Sequence, residues 1–410
     1  MSETNELRIA VIGAGPAGVY SSDIFLRQLG KLGEELGLGT KARIDLFEKL
    51  PVPFGLVRYG VAPDHPSIKF IASALEKTLD NPDIHLYCDV EFGKDVTLDE
   101  LLERYDAVLF ATGAVEDKPL GLPGSDLDGV YGAAKFVEWY DGYPTGAREW
   151  PLDAEEVAVI GGGNVAMDVT RSSIRLGADK VTCVYRRRQA DMTALPDEIT
   201  GALAEGAELM TLAAPVRIEA DEDGAAKALW VQPQIIGEVD KAGRPRPGKA
   251  ALEEVRIPAD VIVVAIGQGV EIQGFDQAGV PIQRGAFVAG LSGQVRDMDS
   301  VFAGGDCVTG PATAIRAIAA GKVAAANIDE HLGFRHEITV DVEIPSPKLN
   351  NSPPHGRIDT TEREACERKH DFEDIECGLT QEGACAEAGR CLRCDHFGYG
   401  IFRGGRNEKW

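Results

Sequence analysis

Twice in this chain a short apolar run ends in a glycine-rich turn and continues as an alanine-rich, amphipathic stretch. Residues 8–12 (RIAVI) lead into Gly13, and residues 157–160 (VAVI) lead into Gly161. Each opening is followed by a second apolar run, IDLFE at 44–48 and VTCVY at 181–185. Strand, helix and strand in that order read as a βαβ unit, present twice. Further buried-strand runs, AVLF at 107–110 and VIVVAI at 261–266, both end in glycine, through Ala111-Thr112-Gly113 and at Gly267. A last short strand, VFAGGD, precedes a helix from about Ala312 into the 320s. A chain of 410 residues exceeds a single core and has room for two domains and an appendage. The expected fold is α/β, with two Rossmann-like dinucleotide-binding domains. The first is expected over 1–150 and 271–335, interrupted by the second over 151–270, with a linker and cysteine-rich tail over 336–410.

The first turn, Gly13-Ala14-Gly15-Pro16-Ala17-Gly18, is G-x-G-x-x-G. The first glycine permits the tight turn, the second lets a pyrophosphate reach the backbone, and the third lets helix and strand pack closely. The helix N-terminus then offers N–H donors and a positive dipole end to the phosphates. The second strand ends in Glu48, an acceptor for ribose hydroxyls. Its distance from Gly18 exceeds the usual spacing, which points to an insertion around residues 30–41.

The second turn, Gly161-Gly162-Gly163-Asn164-Val165-Ala166, is the G-x-G-x-x-A variant. After Val184-Tyr185 it has no acid at the ribose position but Arg186-Arg187-Arg188. A carboxylate there would repel a 2′-phosphate, whereas a guanidinium fork binds one bidentately. In a chain of net charge −24 this triplet is a local basic island. It selects NADP(H) over NAD(H), with Arg186 and Arg187 as the expected ligands. The same acidity argues against nucleic acid and anionic membranes as partners. No run approaches a bilayer span, so no membrane insertion is expected, and the N-terminus lacks the features of a signal peptide. The expected location is cytoplasmic.

At residues 51–66, PVPFGLVRYGVAPDHP, the chain resembles ferredoxin–NADP reductases of the adrenodoxin-reductase type, and the resemblance runs on to about Tyr143. From Gly161 onward, Asn164-Val165-Ala166-Met167-Asp168, Val184-Tyr185-Arg186-Arg187, DMTALPDEI (191–199) and Ala303-Gly304-Gly305-Asp306 are similar to the small (beta) subunit of bacterial glutamate synthase and its NADPH-dependent relatives. The resemblance implies FAD on the first turn. Gly55, Leu56 and Val57 would then pass over the flavin, Ala111, Thr112 and Gly113 would line it, and Gly305 and Asp306 would hold the ribitol. The helix at Ala314 would point its N-terminus at the pyrimidine ring, which would stabilise the anionic reduced flavin. His65 and Asp168 match a His and an Asp near the meeting point of flavin and nicotinamide, with a role in orientation or proton handling.

Five of the eight cysteines crowd the C-terminal region, at 366, 377, 385, 391 and 394. In a reducing compartment such crowding suggests metal rather than disulfides. AEAGRCLRC resembles the start of the iron–sulfur segment of glutamate-synthase small subunits, although here it lies C-terminal and no cysteine follows Cys394. Cys377, Cys385, Cys391 and Cys394 are the expected ligands of one iron–sulfur cluster, with zinc and free thiols as the competing readings. His396 is a spare ligand candidate. Together these features predict an FAD-dependent oxidoreductase moving electrons between NADP(H) and an iron–sulfur protein or the electron-transfer subunits of a larger complex. The alternatives are a free-standing ferredoxin–NADP reductase and a non-catalytic nucleotide-binding assembly subunit. A disulfide reductase is not expected, since no C-x2-C or C-x4-C falls within either nucleotide domain.

Overall fold

A computed structural model describes residues 6–36, 41–63, 65–142, 155–239, 243, 245–336 and 356–391. Two five-stranded sheets dominate it, and among the described residues their strands pair in parallel. In the first, Glu6–Ile12 lies at the centre. Lys41–Phe47 and then Ile84–Tyr87 flank it on one side, and Ala107–Phe110 and then Val301–Ala303 on the other. In the second, Glu156–Gly161 takes the central place. Lys180–Tyr185 and Glu208–Thr211 lie to one side, and Val261–Ala265 and Val130–Gly132 to the other. In both sheets the next two strands of the chain flank the central one on the same side, and each glycine turn leaves the central strand of its own sheet, where dinucleotides bind in such folds.

Fully buried apolar strands explain both sheets: AVLF at 107–110 and VIVVA at 261–265 are buried at every position, as parallel strands covered on both faces must be. Helix Pro16–Leu36 covers the first sheet beside helix Ala314–His331, and the two approach closely because a Cβ on Gly321 would meet the Ala17 carbonyl oxygen at 2.6 Å. The long gap between Gly18 and Glu48 is taken up largely by that first helix, which runs for 21 residues.

The second unit begins earlier than the expected 151. Val130–Gly132 pairs with Val261–Ala265, and helix Ala133–Tyr140 packs on the second sheet. A two-residue strand, Glu116–Asp117, pairs antiparallel with Gln268–Gly269, and this ribbon marks both crossings between the units. Asp117 fixes the new start, since its carboxylate accepts hydrogen bonds from the backbone N–H groups of Ala134 (2.9 Å) and Lys135 (3.2 Å). An antiparallel meander over Ala213–Ala220, Ala226–Val239, Pro245–Lys249 and Val255–Pro258 completes the second unit.

The tail is not a simple polar extension. Residues 356–391 form an isolated bridge between Glu362 and Glu376 and two short helices, Ala365–Arg368 and Gln381–Gly389. The Pro-rich stretch 344–355, Cys394 and His396 lie outside the described residues. No helix among the described residues is long and apolar enough to cross a membrane.

Candidate functional site: two dinucleotide cradles and the cluster between them

In the first cradle the three glycines answer to different surroundings. A Cβ on Gly13, whose φ is +106°, would lie 2.5 Å from the Ala111 carbonyl oxygen, and one on Gly18 would lie 2.0 Å from that of Gly13. One on Gly15 would meet nothing within 4 Å, so the space above it is open to a ligand. Glu48 is buried, and its oxygens accept from the N–H groups of Ala14 (2.9 Å) and Leu50 (3.0 Å). Burial raises its pKa above the usual carboxylate range, against the pull of those two N–H groups.

The loop holding Gly55, Leu56 and Val57 is pinned onto this turn, because the Phe54 N–H donates to the Ala14 carbonyl at 2.9 Å. Phe54 is non-glycine at φ +88°, a strained conformation of the kind that concentrates at ligand sites. On the opposite rim, Asp306 has an Oδ1 that is buried without a hydrogen-bond partner among the described residues. Burial raises its pKa, opposed by the Ala312 N–H. A buried acceptor left in that state suits a ligand hydroxyl such as those of a ribityl chain. Thr313, the N-cap of helix Ala314–His331, gives it no side-chain cap, so the first-turn N–H groups lack that partner.

The second cradle repeats the design. A Cβ on Gly161 would meet the Ala265 carbonyl oxygen at 2.3 Å, and one on Gly162 the Tyr185 ring at 2.5 Å. Gly163 caps helix Asn164–Arg175 without a side-chain bond, and its carbonyl accepts from the Ala166 N–H at 3.0 Å, next to Val165. The loop 191–199 is folded across the turn: Thr193 and Ala194 donate to the Gly162 carbonyl at 2.9 and 3.0 Å, and Leu195 donates to Asn164 Oδ1 at 2.9 Å. Gly267, at φ +104°, sits in the ribbon between the units, where its carbonyl accepts from the Lys118 N–H at 3.2 Å.

The arginine triplet alternates in burial. Arg187 is buried and its Nε donates to the Pro245 carbonyl at 3.0 Å. Arg186 and Arg188 are exposed, and Arg188 is committed to Asp191 at 2.8 Å. Arg186 has no ion pair among the described residues. Both Arg186 and Arg187 follow the end of the strand at Tyr185, the first exposed and the second buried.

His65 and Asp168 come together from the two units, with His65 Nε2 3.4 Å from Asp168 Oδ1. Glu198 joins them, its Oε1 4.0 Å from the same nitrogen. Among the described residues this is the one group of three His, Cys, Asp or Glu side chains whose ligand atoms converge as a metal site requires. Arg171 already supplies a cation to it, with Nη1 2.6 Å from Glu198 Oε2. Sequence reasoning missed Glu198 and Arg171. Glu198 lies in the first turn of helix Pro196–Glu205, inside a loop already singled out, and Arg171 is one helical turn after Asp168.

Cys377, Cys385 and Cys391 are exposed free thiols and form no converging group of three among the described residues, and Cys394 lies outside them. Cys377 sits on the bridged extended segment, Cys385 within a helix, and Cys391 just past its end. Six positions separate the last two, a spacing that does not share a helix face. Cys183 and Cys307 are buried, their thiols pushed up to about 12 and about 11 by burial, which leaves neither as a disulfide-exchange nucleophile.

Residues 7–321 match the model of the pyridine nucleotide-disulphide oxidoreductase family. The chain belongs to this family. It is therefore an oxidoreductase of the kind that uses FAD and NADP(H). Among its relatives, the NADP(+)-dependent formate dehydrogenase subunit beta of Moorella thermoacetica is 33% identical over 417 residues, covering 98% of this chain and 56% of that one. The glutamate synthase [NADPH] small chain of Halomonas elongata is 31% identical over 335 residues, covering 79% and 68%. Among solved structures, the His57Gln mutant of FprA from Mycobacterium tuberculosis superposes with a TM-score of 0.69 at 25% identity, covering 80% of this chain and 85% of that one. The chain spans about half the length of the first curated relatives it matches.

Proposed function

We propose that this oxidoreductase takes reducing equivalents from NADPH onto FAD and passes them to an iron–sulfur protein or to electron-transfer subunits of a larger assembly. The observation that carries the reading is the meeting of His65, from the unit of the first glycine turn, with Asp168 and Glu198, from the unit of the second. Bound FAD supplies hydride acceptance and one-electron release. The chain supplies the rest. Gly13 to Gly18 and Glu48 hold the flavin nucleotide, Asp306 accepts from its ribityl chain, and Gly161 to Ala166 cradle the second pyrophosphate. Arg186 and Arg187 flank the 2′-phosphate, while His65, Asp168 and Glu198 fix the nicotinamide end and hold a proton there.

Relatives named as a beta subunit and a small chain support work within an assembly. The 44% identity over 171 residues with the NADPH:adrenodoxin oxidoreductase of Drosophila melanogaster favours the second reading, a free-standing reductase. No electron step is routed through the tail.

The test is anaerobic reduction of the FAD-reconstituted chain. NADPH should bleach the flavin absorbance far faster than NADH. Replacing both Arg186 and Arg187 with Ala should lower the NADPH-to-NADH preference by about a hundredfold, the loss of two charge-assisted contacts. A flavin left oxidised by NADPH would end the proposal, and an unchanged preference would remove the arginines from it.

A further inference from the structure

The tail reaches the nicotinamide site through one buried carboxylate. Glu205, at the end of helix Pro196–Glu205, is 1% exposed and is met by three guanidinium groups. Arg171 Nη2 lies 2.7 Å from its Oε1, Arg175 Nη1 2.9 Å from its Oε2, and Arg368 Nε, from the tail, 2.9 Å from its Oε1. Burial raises the pKa of Glu205, but Arg171 and Arg175 outweigh it and the net shift is downward.

Arg368 is 4% exposed and is held from its other side by Glu362 and by the Arg363 carbonyl at 3.3 Å. The tail segment around it is fixed by the bidentate Arg363–Asp371 pair, both contacts at 2.7 Å, and by Arg175 Nε donating to the Asp371 carbonyl at 2.9 Å. On the far side of Glu205, Arg171 divides its guanidinium between that carboxylate and Glu198.

Glu205 Oε1 accepts from Arg171 Nη2 at 2.7 Å and Nε at 3.2 Å and from Arg368 Nε at 2.9 Å. Without Arg368 the charge on that oxygen falls to Arg171, the same guanidinium whose Nη1 holds Glu198 Oε2, so the contact with Glu198 shifts with it. We infer that Arg368 is a positioning residue for the nicotinamide site, acting through Glu205 and Arg171 to hold Glu198 beside His65. The docked tail thus sets the geometry at which hydride leaves the nicotinamide. This inference rests on the function proposed above.

The experiment is a double-mutant cycle in the full-length, FAD-loaded chain, read as the single-turnover rate of flavin reduction by NADPH. Arg368→Met should slow that rate by about fivefold or more, with NADP+ affinity unchanged, because neighbours in one ionic network couple. The Arg368→Met/Glu198→Gln double variant should be no slower than Glu198→Gln alone. Arg368→Lys, which keeps the charge but not the fork, should recover part of the loss. If the Met variant gives no folded, flavin-loaded protein, Arg368→Lys combined with Glu198→Gln carries the same cycle. A wild-type rate in the Arg368 variants, or slowdowns that simply multiply, would overturn the inference. A wild-type chain that NADPH cannot reduce would instead sink the proposed function.

Discussion

A Cβ on Gly18 would press to 2.0 Å of a backbone oxygen, whereas one on Gly15 would stand in open space, although both belong to one turn. The difference separates folding from binding. Gly15→Val should leave the melting temperature nearly unchanged and cut bound FAD by about tenfold or more, since the side chain fills the place of the pyrophosphate. Gly18→Val should prevent the helix from seating on its strand and yield little folded protein. Equal flavin content in Gly15→Val and wild type would refute the assignment of the first cradle. At this scale the sequence was most legible where spacing and residue type act together. The two glycine turns and Glu48 could be placed because each has a local steric or hydrogen-bonding demand. Glu198 and Arg171 could not, because their meaning lies in a contact with His65 and Glu205 that no local pattern encodes.

Helices Asn164–Arg175 and Pro196–Glu205 and the tail segment share Glu205 as their common anion. Removing it would strand three guanidinium groups in a buried site. Glu205→Ala should therefore destabilise the chain by about 3–5 kcal/mol in chemical denaturation, the cost of breaking a buried ionic cluster from one side. A loss below about 1 kcal/mol, the range of an exposed pair, would show that the site is wetter than its burial implies. Elements with strong periodicity, such as AVLF at 107–110 and VIVVA at 261–265, were read from sequence at nearly their true limits. The meander over 213–258, the two-residue ribbon and the tail's attachment were not. Short antiparallel strands and an arginine plug carry little local signal, and their stability comes from partners distant in sequence.

Across the whole molecule, the two units are tied by more than the ribbon. Lys69, on the helix that follows His65, pairs at 2.7 Å with Asp141, which caps helix Ala133–Tyr140 of the second unit. Burial lifts the Asp141 carboxyl to about 6, with Lys69 pulling against it. The folded chain then keeps a proton that the unfolded chain has released. The contribution of this group to stability therefore falls as pH rises from about 4 to about 6. Asp141→Asn should flatten that part of the melting-temperature profile, and an unaltered slope would exclude the shift. The order of motifs predicts the interruption of one unit by another. Its boundary was misplaced because a three-residue strand, Val130–Gly132, decides it.

Val301–Ala303 completes the first sheet against Ala107–Phe110, and the entire second unit is synthesised between them. During translation the inner unit can finish while the outer one still lacks its last strand and Asp306. On the proposed assignment, FAD would meet a complete pocket only after the second unit has left the ribosome, and a chain stalled before Val301 would carry an exposed strand edge at Ala107–Phe110.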